Sequence, residues 1–281
     1  MDGIILIDKE EGVTSRWVDN AIGKRFGTRK VGHLGTLDPF ATGLLVVALG
    51  KGTKFLNYLN DEDKTYVAML KLGEKTSTGD KDGEIIQKEA VREYSIKEID
   101  EALSSFLGDS FQTPPMTSAI KINGKPLYKL AHQGKEITRK ERKITVHRIS
   151  LKSYLSDTLT FEANVSRGTY MRVLAEDIAK RLGTIGHLTS LRRTTISGMN
   201  LSRAKKVDEI NENDVLDPTP FLSLPKVIIS EELKRDAMNG KSMKLDAMCH
   251  ERILLTTDLG GAIAVYKKED DGLYHSERGL F

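Results

Sequence analysis

GHLGTLDPFATGLL, residues 32–45, carries one carboxylate, Asp38, directly before Pro39 at the mouth of an apolar segment. Asp is a preferred helix N-cap and Pro is favoured at the first helical position, so the pair reads as a capped helix start, with helical periodicity running on over 44–59. The flanking residues carry a second meaning. Gly32 and Gly35 let the backbone approach another group closely, while His33 and Thr36 offer polar contacts without bulk. A carboxylate presented by such a turn is also a chemical group, and the rest of the chain has to separate a cap from a site.

Working outward, 281 residues suffice for one sizeable core plus a small appended domain. The opening MDGIILIDKEEG has a short apolar run with acids on both sides and no basic n-region, so it reads as a first strand rather than a leader, and no membrane partner is expected. The single cysteine, Cys249, excludes an internal disulfide and a cysteine metal cluster, which suits a reducing cytoplasm. Six histidines stand far apart, so no metal site is expected. The net charge of +3 conceals two basic segments: residues 121–148 hold nine Lys or Arg against two Glu, and residues 162–206 hold nine against three acids. With Tyr128, Tyr170, His132, His147 and His187 interleaved, these segments suit a phosphate backbone, so nucleic acid is the expected partner.

Strand patterns occur at Ile4–Ile7, Tyr66–Leu72, Ile144–Leu151, Leu159–Val165 and Ile253–Leu255, and helical periodicity at Ser15–Arg25, Leu44–Leu59, Ile96–Leu107 and Val173–Leu182. Ser95 and Glu98 form a capping box. Without regular βαβ alternation, the fold class is α+β with a mixed, largely antiparallel central sheet flanked by helices. Asn211–Pro225, rich in turn formers, predicts a linker. The tail beyond it is strand-rich and closes on a hairpin around Asp270-Asp271-Gly272.

Two motifs fall short. TGDKDGEIIQKE, residues 78–89, matches a calcium loop at Asp80, Asp82, Gly83 and Glu89, but Thr78 occupies the first ligand position and a strand pattern precedes it. GKGTK, residues 50–54, lacks the Gly-Lys-Ser/Thr triplet of a phosphate loop.

GHLGTLDPFATGLL, KTYVAMLKLG, TPPMTSAIKINGKPLYKLA and SRGTYMRVL, with Leu6-Ile7-Asp8-Lys9 before them and LRRTTISG (191–198) after, resemble in order the signature segments of the TruB-type tRNA pseudouridine-55 synthases. Lys9-Glu10 stands where the family commonly has Lys-Pro, and His132 where it has an arginine. The resemblance implies a catalytic domain over 1–223 with a basic RNA-clamping thumb at about 113–148, and a small PUA-like RNA-binding β domain over 224–281. It implies a cytoplasmic, monomeric isomerase that needs no cofactor and acts on uridine in the T arm of tRNA.

The same resemblance assigns roles. Asp38 is the catalytic carboxylate. Arg172 is its partner, opposing the protonation that burial favours. Tyr66 stacks on the base and serves in proton removal from C5. His33 contacts the displaced nucleotide, Leu191 lines the wall around the base, and Lys9, Gly35, Thr36, Lys121, Tyr170 and Arg193 complete the substrate contacts. Read without the resemblance, Asp38 is a cap, Tyr66 a packing aromatic and Leu191 a core residue, and the charge blocks alone would equally suit a noncatalytic RNA-binding or tRNA-folding protein. A base-excising hydrolase would also use a carboxylate at the sugar, but would release free uracil.

Overall fold

The structure, a computed structural model, describes residues 1–280 except 60–62, 119, 123–124, 128–129, 131–136 and 246–249, and gives 121–122 and 125–126 as backbone. The chain begins with β1 (Gly3–Lys9), α1 (Ser15–Arg25), β2 (Val31–Leu34) and β3 (Thr42–Leu49), followed by a 3-10 segment (Gly50–Phe55) and the single turn α2 (Leu56–Leu59). The middle comprises β4 (Lys64–Leu72), β5 (Glu74–Thr76), β6 (Ile85–Lys88), α3 (Ile96–Ser104), β7 (Gly108–Gln112), β8 (Lys121–Ile122), β9 (Lys125–Pro126), β10 (Arg142–Leu155), β11 (Thr158–Val165), α4 (Met171–Arg181), β12 (Gly186–Ile196) and β13 (Met199–Asn200). The tail holds β14 (Lys226–Ile228), α5 (Glu231–Met238), β15 (Arg252–Thr256), β16 (Ala262–Lys268) and β17 (Tyr274–Gly279).

Among the described residues, nine strands form one sheet, ordered β1-β3-β12-β4-β11-β10-β7, with β2 on β3 and β13 on β12. Its pairings are antiparallel except β3 with β12, where Arg192 faces Thr42 and Arg193 faces Gly43. One face of the sheet is covered by Val18 and Ile22 of α1, Ile99 and Leu103 of α3, and Leu174 and Ile178 of α4. The other face meets Leu254 and Val265 from the small C-terminal sheet, ordered β14-β15-β16-β17, and Leu280 just after it. The expected α+β class with a mixed, largely antiparallel sheet is therefore what forms. The closing hairpin also forms, with the Gly272 N–H donating to the Glu269 carbonyl.

Local chemistry sets the elements that position the site. α1 starts where the Thr14 hydroxyl accepts the Trp17 N–H at 3.0 Å, and α3 carries the full Ser95–Glu98 capping box, ending at Ser104 rather than at Leu107. The helix expected over 44–59 is instead β3, the 3-10 segment and one α-helical turn. Within β3, Leu45, Val47 and Leu49 enter the core under the helices, whereas Leu44, Val46 and Ala48 enter the core shared with the C-terminal sheet. A strand buried on both faces reads as a continuous apolar run, and its alternation is invisible in hydropathy. The segment expected as a linker is also structured: Leu216 exchanges two backbone hydrogen bonds with Ile4, at 2.9 and 2.8 Å, and Leu222 is buried beside β1 and β3. No helix among the described residues is long and apolar enough to cross a membrane.

Candidate active site

The Asp38 segment leaves β2 at Gly35, whose φ of +63° suits glycine. A Cβ at that position would lie 3.3 Å from each of Arg193, Ile196 and Lys64. The Gly35 carbonyl accepts a 2.8 Å hydrogen bond from Arg193, whose Nε also donates to the Leu44 carbonyl at 2.7 Å. Leu37 is held at both ends, its N–H donating to Ser15 Oγ and its carbonyl accepting from the same hydroxyl, each at 3.0 Å. Asp38 and Pro39 then make a turn closed by the Ala41 N–H on the Asp38 carbonyl at 3.1 Å. No helix follows, so Asp38 caps nothing. Its carboxylate is left for other work.

That carboxylate meets α4. Arg172 lies in the first turn of the helix, its side chain 6 % exposed, and forms ion pairs with two carboxylates, its Nε 3.1 Å from Asp38 Oδ2 and its Nη1 3.2 Å from Asp80 Oδ2. Its hydrogen bonds go elsewhere: Nη1 donates to the Thr78 carbonyl at 3.0 Å and to Thr117 Oγ1 at 2.6 Å, and Nη2 to the Thr117 carbonyl at 2.8 Å. The guanidinium is thereby fixed in plane between two carboxylates. Burial raises the Asp38 pKa above its ordinary value; Arg172 opposes that shift, Asp80 adds to it, and Lys9 opposes it. Asp38, at 38 % side-chain exposure, stands at the opening, whereas Asp80, at 7 %, is sealed behind Arg172.

Asp38 lines a cavity of about 250 Å³ whose walls include Gly35, Thr36, Lys64, Tyr66, Arg167, Tyr170, Arg172, Leu191 and Arg193. β4 supplies Tyr66 and β12 supplies Leu191 and Arg193, with Tyr66 paired to Arg193 and Ala68 to Leu191 across the two strands. Gln112 of β7 brackets Tyr170, accepting its N–H at 2.9 Å and donating to its carbonyl at 3.2 Å, and burial pushes the Tyr170 phenol up. The combination is a charged carboxylate on one rim, an aromatic ring and an aliphatic wall, and buried arginines beneath. It can hold a planar base and stabilise positive character on a group beside it.

Eight of the eleven residues singled out from sequence line this cavity, two, His33 and Lys9, do not, and the side chain of Lys121 lies outside the described residues. His33 stands behind Thr36, its Nε2 3.0 Å from the Thr36 hydroxyl and its Nδ1 2.9 Å from Asp19 Oδ2. Lys9 is fully buried. Its ammonium donates to the carbonyls of Glu10, Val13 and Pro39 at 2.9, 2.7 and 3.2 Å, and burial lowers its pKa to about 8, so it braces the turn beneath Asp38 from outside the cavity. Lys121 falls in β8 with its side chain outside the described residues, as are Tyr128, His132 and Cys249. Sequence reading missed Asp80 and Thr117. The incomplete calcium loop is a turn between β5 and β6 in which Asp80 accepts from the Thr78 hydroxyl at 2.6 Å and the Asp82 N–H at 3.2 Å while facing Arg172. Among the described residues, no three His, Cys, Asp or Glu side chains gather to hold a metal ion.

Residues 24–171, which run from α1 through the Asp38 turn and the Tyr66 strand to the start of α4, match the model of the TruB family pseudouridylate synthase N-terminal domain. The chain belongs to the TruB family. It is accordingly an isomerase that rearranges uridine to pseudouridine. Similar proteins named tRNA pseudouridine synthase B include one from Shewanella pealeana, 34 % identical and aligned over 99 % of this chain and 94 % of its own length. One from Neisseria meningitidis serogroup B is 38 % identical over 98 % and 88 %, and one from Hydrogenovibrio crunogenus is 43 % identical over 80 % and 74 %. Of solved structures, a chain of a Cbf5-Nop10-Gar1 complex superposes with a TM-score of 0.77 at 24 % identity, covering 99 % of this chain and 85 % of its own, which shows a shared fold. The TruB resemblance read from the motifs is thus the family the chain belongs to.

Proposed function

We propose that this TruB family member converts uridine 55 in the T arm of tRNA to pseudouridine, with Asp38 as the catalytic carboxylate. One observation carries the reading: the Asp38 carboxylate, held by Arg172, stands at the rim of a cavity sized for a single base, with Tyr66 and Leu191 as its walls. The names of the curated relatives support tRNA as the substrate. In the reaction the C1′–N1 bond breaks, the uracil turns, the C1′–C5 bond forms, the C5 hydrogen leaves to solvent and N1 takes up a proton. An ionised Asp38 serves as nucleophile or as stabiliser of positive character at the ribose. Arg172 counters the protonation that burial favours, and Tyr66 stacks on the base with its hydroxyl available for the C5 proton. Gly35, Thr36, Tyr170, Leu191 and Arg193 shape the pocket, and His33, steadied by Asp19, contacts the displaced nucleotide.

The uridine has to leave the folded arm to enter this cavity, at a cost of a few kcal/mol that phosphate contacts offset. The basic 113–148 segment is the natural clamp, with 1–223 as the catalytic domain and 224–281 as a PUA-like RNA-binding domain. The enzyme works as a single chain in the cytoplasm. The test is incubation of the purified protein with an unmodified tRNA transcript carrying tritium at uracil C5. Tritium in water and pseudouridine at position 55 are expected. Free uracil as the main product would point instead to a hydrolase, and binding without either product to a noncatalytic RNA-binding protein.

A further inference from the structure

The outer face of α1 is unassigned by everything above. Between Glu11 and Asp38 the sequence holds five Lys or Arg and one acid, Asp19. Asp19 is buried at 2 % exposure, and Arg25 is turned to the Asp208 and Ile210 carbonyls, so the charge this stretch shows to solvent is positive: Arg16, Lys24, Arg29 and Lys30. At 100° per residue, Arg16, Asn20, Lys24 and Trp17 fall within an arc of about 100° on the side of the helix away from the core. Trp17, the chain's single tryptophan, is 51 % exposed there. A groove on each flank of this stripe gives the side chains room. One is edged by Arg16, Asn20, Lys24 and Arg29, and the other by Trp17, Lys24 and Arg25, with the acids Glu10 and Asp208 on its far side. Glu10, which borders the second groove, pairs with Lys206 at 2.9 Å.

This face adjoins the active site. Asp19, at the edge of the stripe beside Arg16, binds His33, and His33 binds Thr36 of the cavity wall. These contacts place α1 beside the cavity wall on the side of His33. The positive ground continues beyond Arg29: burial first, and then the charges of Arg278, Lys51 and Lys30, lower the pKa of the Lys54 ammonium. An exposed indole flanked by the cations of the stripe, with no exposed acid on the helix itself, fits an unpaired base on a phosphate backbone and does not suit an apolar protein groove.

We propose that the outer face of α1 is a second RNA-contact surface, on which Arg16, Lys24 and Arg29 pair with phosphates and Trp17 stacks on an unpaired base of the same RNA whose uridine enters the cavity. This rests on the tRNA reading above.

Because Trp17 is the sole tryptophan, the intact protein reports on the contact directly. Titration with an unmodified tRNA transcript is expected to quench its emission and shield it from acrylamide. Trp17→Ala is expected to weaken tRNA binding roughly five- to a hundredfold, and Trp17→Phe, which keeps a π face, to recover much of that loss. The triple variant R16Q/K24Q/R29Q is expected to reduce the slope of log affinity against log salt by about 1.4 to 1.8, short of three full contacts because Arg16 already pairs with Asp19 at 3.3 Å. tRNA that is bound and converted with unchanged emission, acrylamide access and slope would overturn the proposal and leave the enzymatic reading standing. Quenching without pseudouridine formation would support this surface and overturn the enzymatic reading alone. Emission that instead tracks protein concentration without RNA would assign the face to a second copy of the chain and overturn the proposal.

Discussion

Arg172→Met tests the double carboxylate clamp. The substitution keeps an unbranched apolar stem and removes two ion-pair contacts and three hydrogen bonds, all from a side chain 6 % exposed. Asp38 can turn to the solvent at the cavity mouth, but Asp80, 7 % exposed, cannot, and is left as an unpaired buried charge. Breaking a buried pair on one side costs about 3–5 kcal/mol, a large share of the roughly 5–15 kcal/mol of a whole domain. Adding Asp80→Asn removes the stranded charge while the amide oxygen still accepts from the Thr78 hydroxyl and the Asp82 N–H. Urea unfolding of the two single variants, the double variant and the parent forms a cycle. The double variant is expected to be more stable than Arg172→Met alone, with a coupling of about 1–3 kcal/mol. Pseudouridine formation stays low in both, because Asp38 has lost its partner. The acid limb of the activity profile in Arg172→Met should move to higher pH, since the positive charge that opposes protonation of the buried Asp38 is gone. Additivity within about 0.5 kcal/mol would refute the clamp.

Asp38→Asn should unfold at a higher temperature than the parent at pH 7. Burial raises the Asp38 pKa, so the folded state disfavours the ionised form above the ordinary carboxylate range, and the advantage of the amide should disappear as pH falls through 3.8 and Asp38 protonates in both states. Equal melting temperatures across that range would count against a desolvated carboxylate. Gly35→Ala forces a φ of +63° on alanine and sets its Cβ 3.3 Å from three side chains, so a loss of about 1–3 kcal/mol with reduced turnover is expected, and an unchanged melt would refute the close approach. Neutralising Lys140, Arg142 and Lys143 together should lower the salt slope of tRNA binding by about 1.4 to 1.8, short of three full contacts because Lys143 already pairs with Asp109 at 2.7 Å. An unchanged slope would make the segment a solvated face.

What could be read in advance follows from which interactions are local. α1 was legible because its cap and its apolar positions, Val18 and Ile22, lie within one helix, and the strands bearing Tyr66 and Phe161 because β-branched and aromatic residues recur along them. β3 was not, because its two faces enter two cores, and an unbroken apolar run carries no period. Asp38 was found through its turn, but its freedom from any helix is a consequence of β3. Asp80 carries its meaning only across 92 residues of chain, where Arg172 meets it. Its local signature, an acid in a Gly-rich turn after the Tyr66 strand, is shared with failed calcium loops. The resemblance places Lys9 among the substrate contacts, whereas its ammonium is spent on the backbone. The three carbonyls that surround it come from backbone geometry, which side-chain identity does not encode.

The most direct measurement compares the parent and Asp38→Asn on the same unmodified tRNA, scoring binding and pseudouridine at position 55 in parallel. Asparagine keeps the shape and can still accept from Arg172, so folding and tRNA affinity should persist. Turnover should fall by about a thousandfold or more, because an amide is a poor nucleophile and carries no charge to stabilise the separating sugar. Near-normal pseudouridine formation by the variant would contradict the assignment of Asp38.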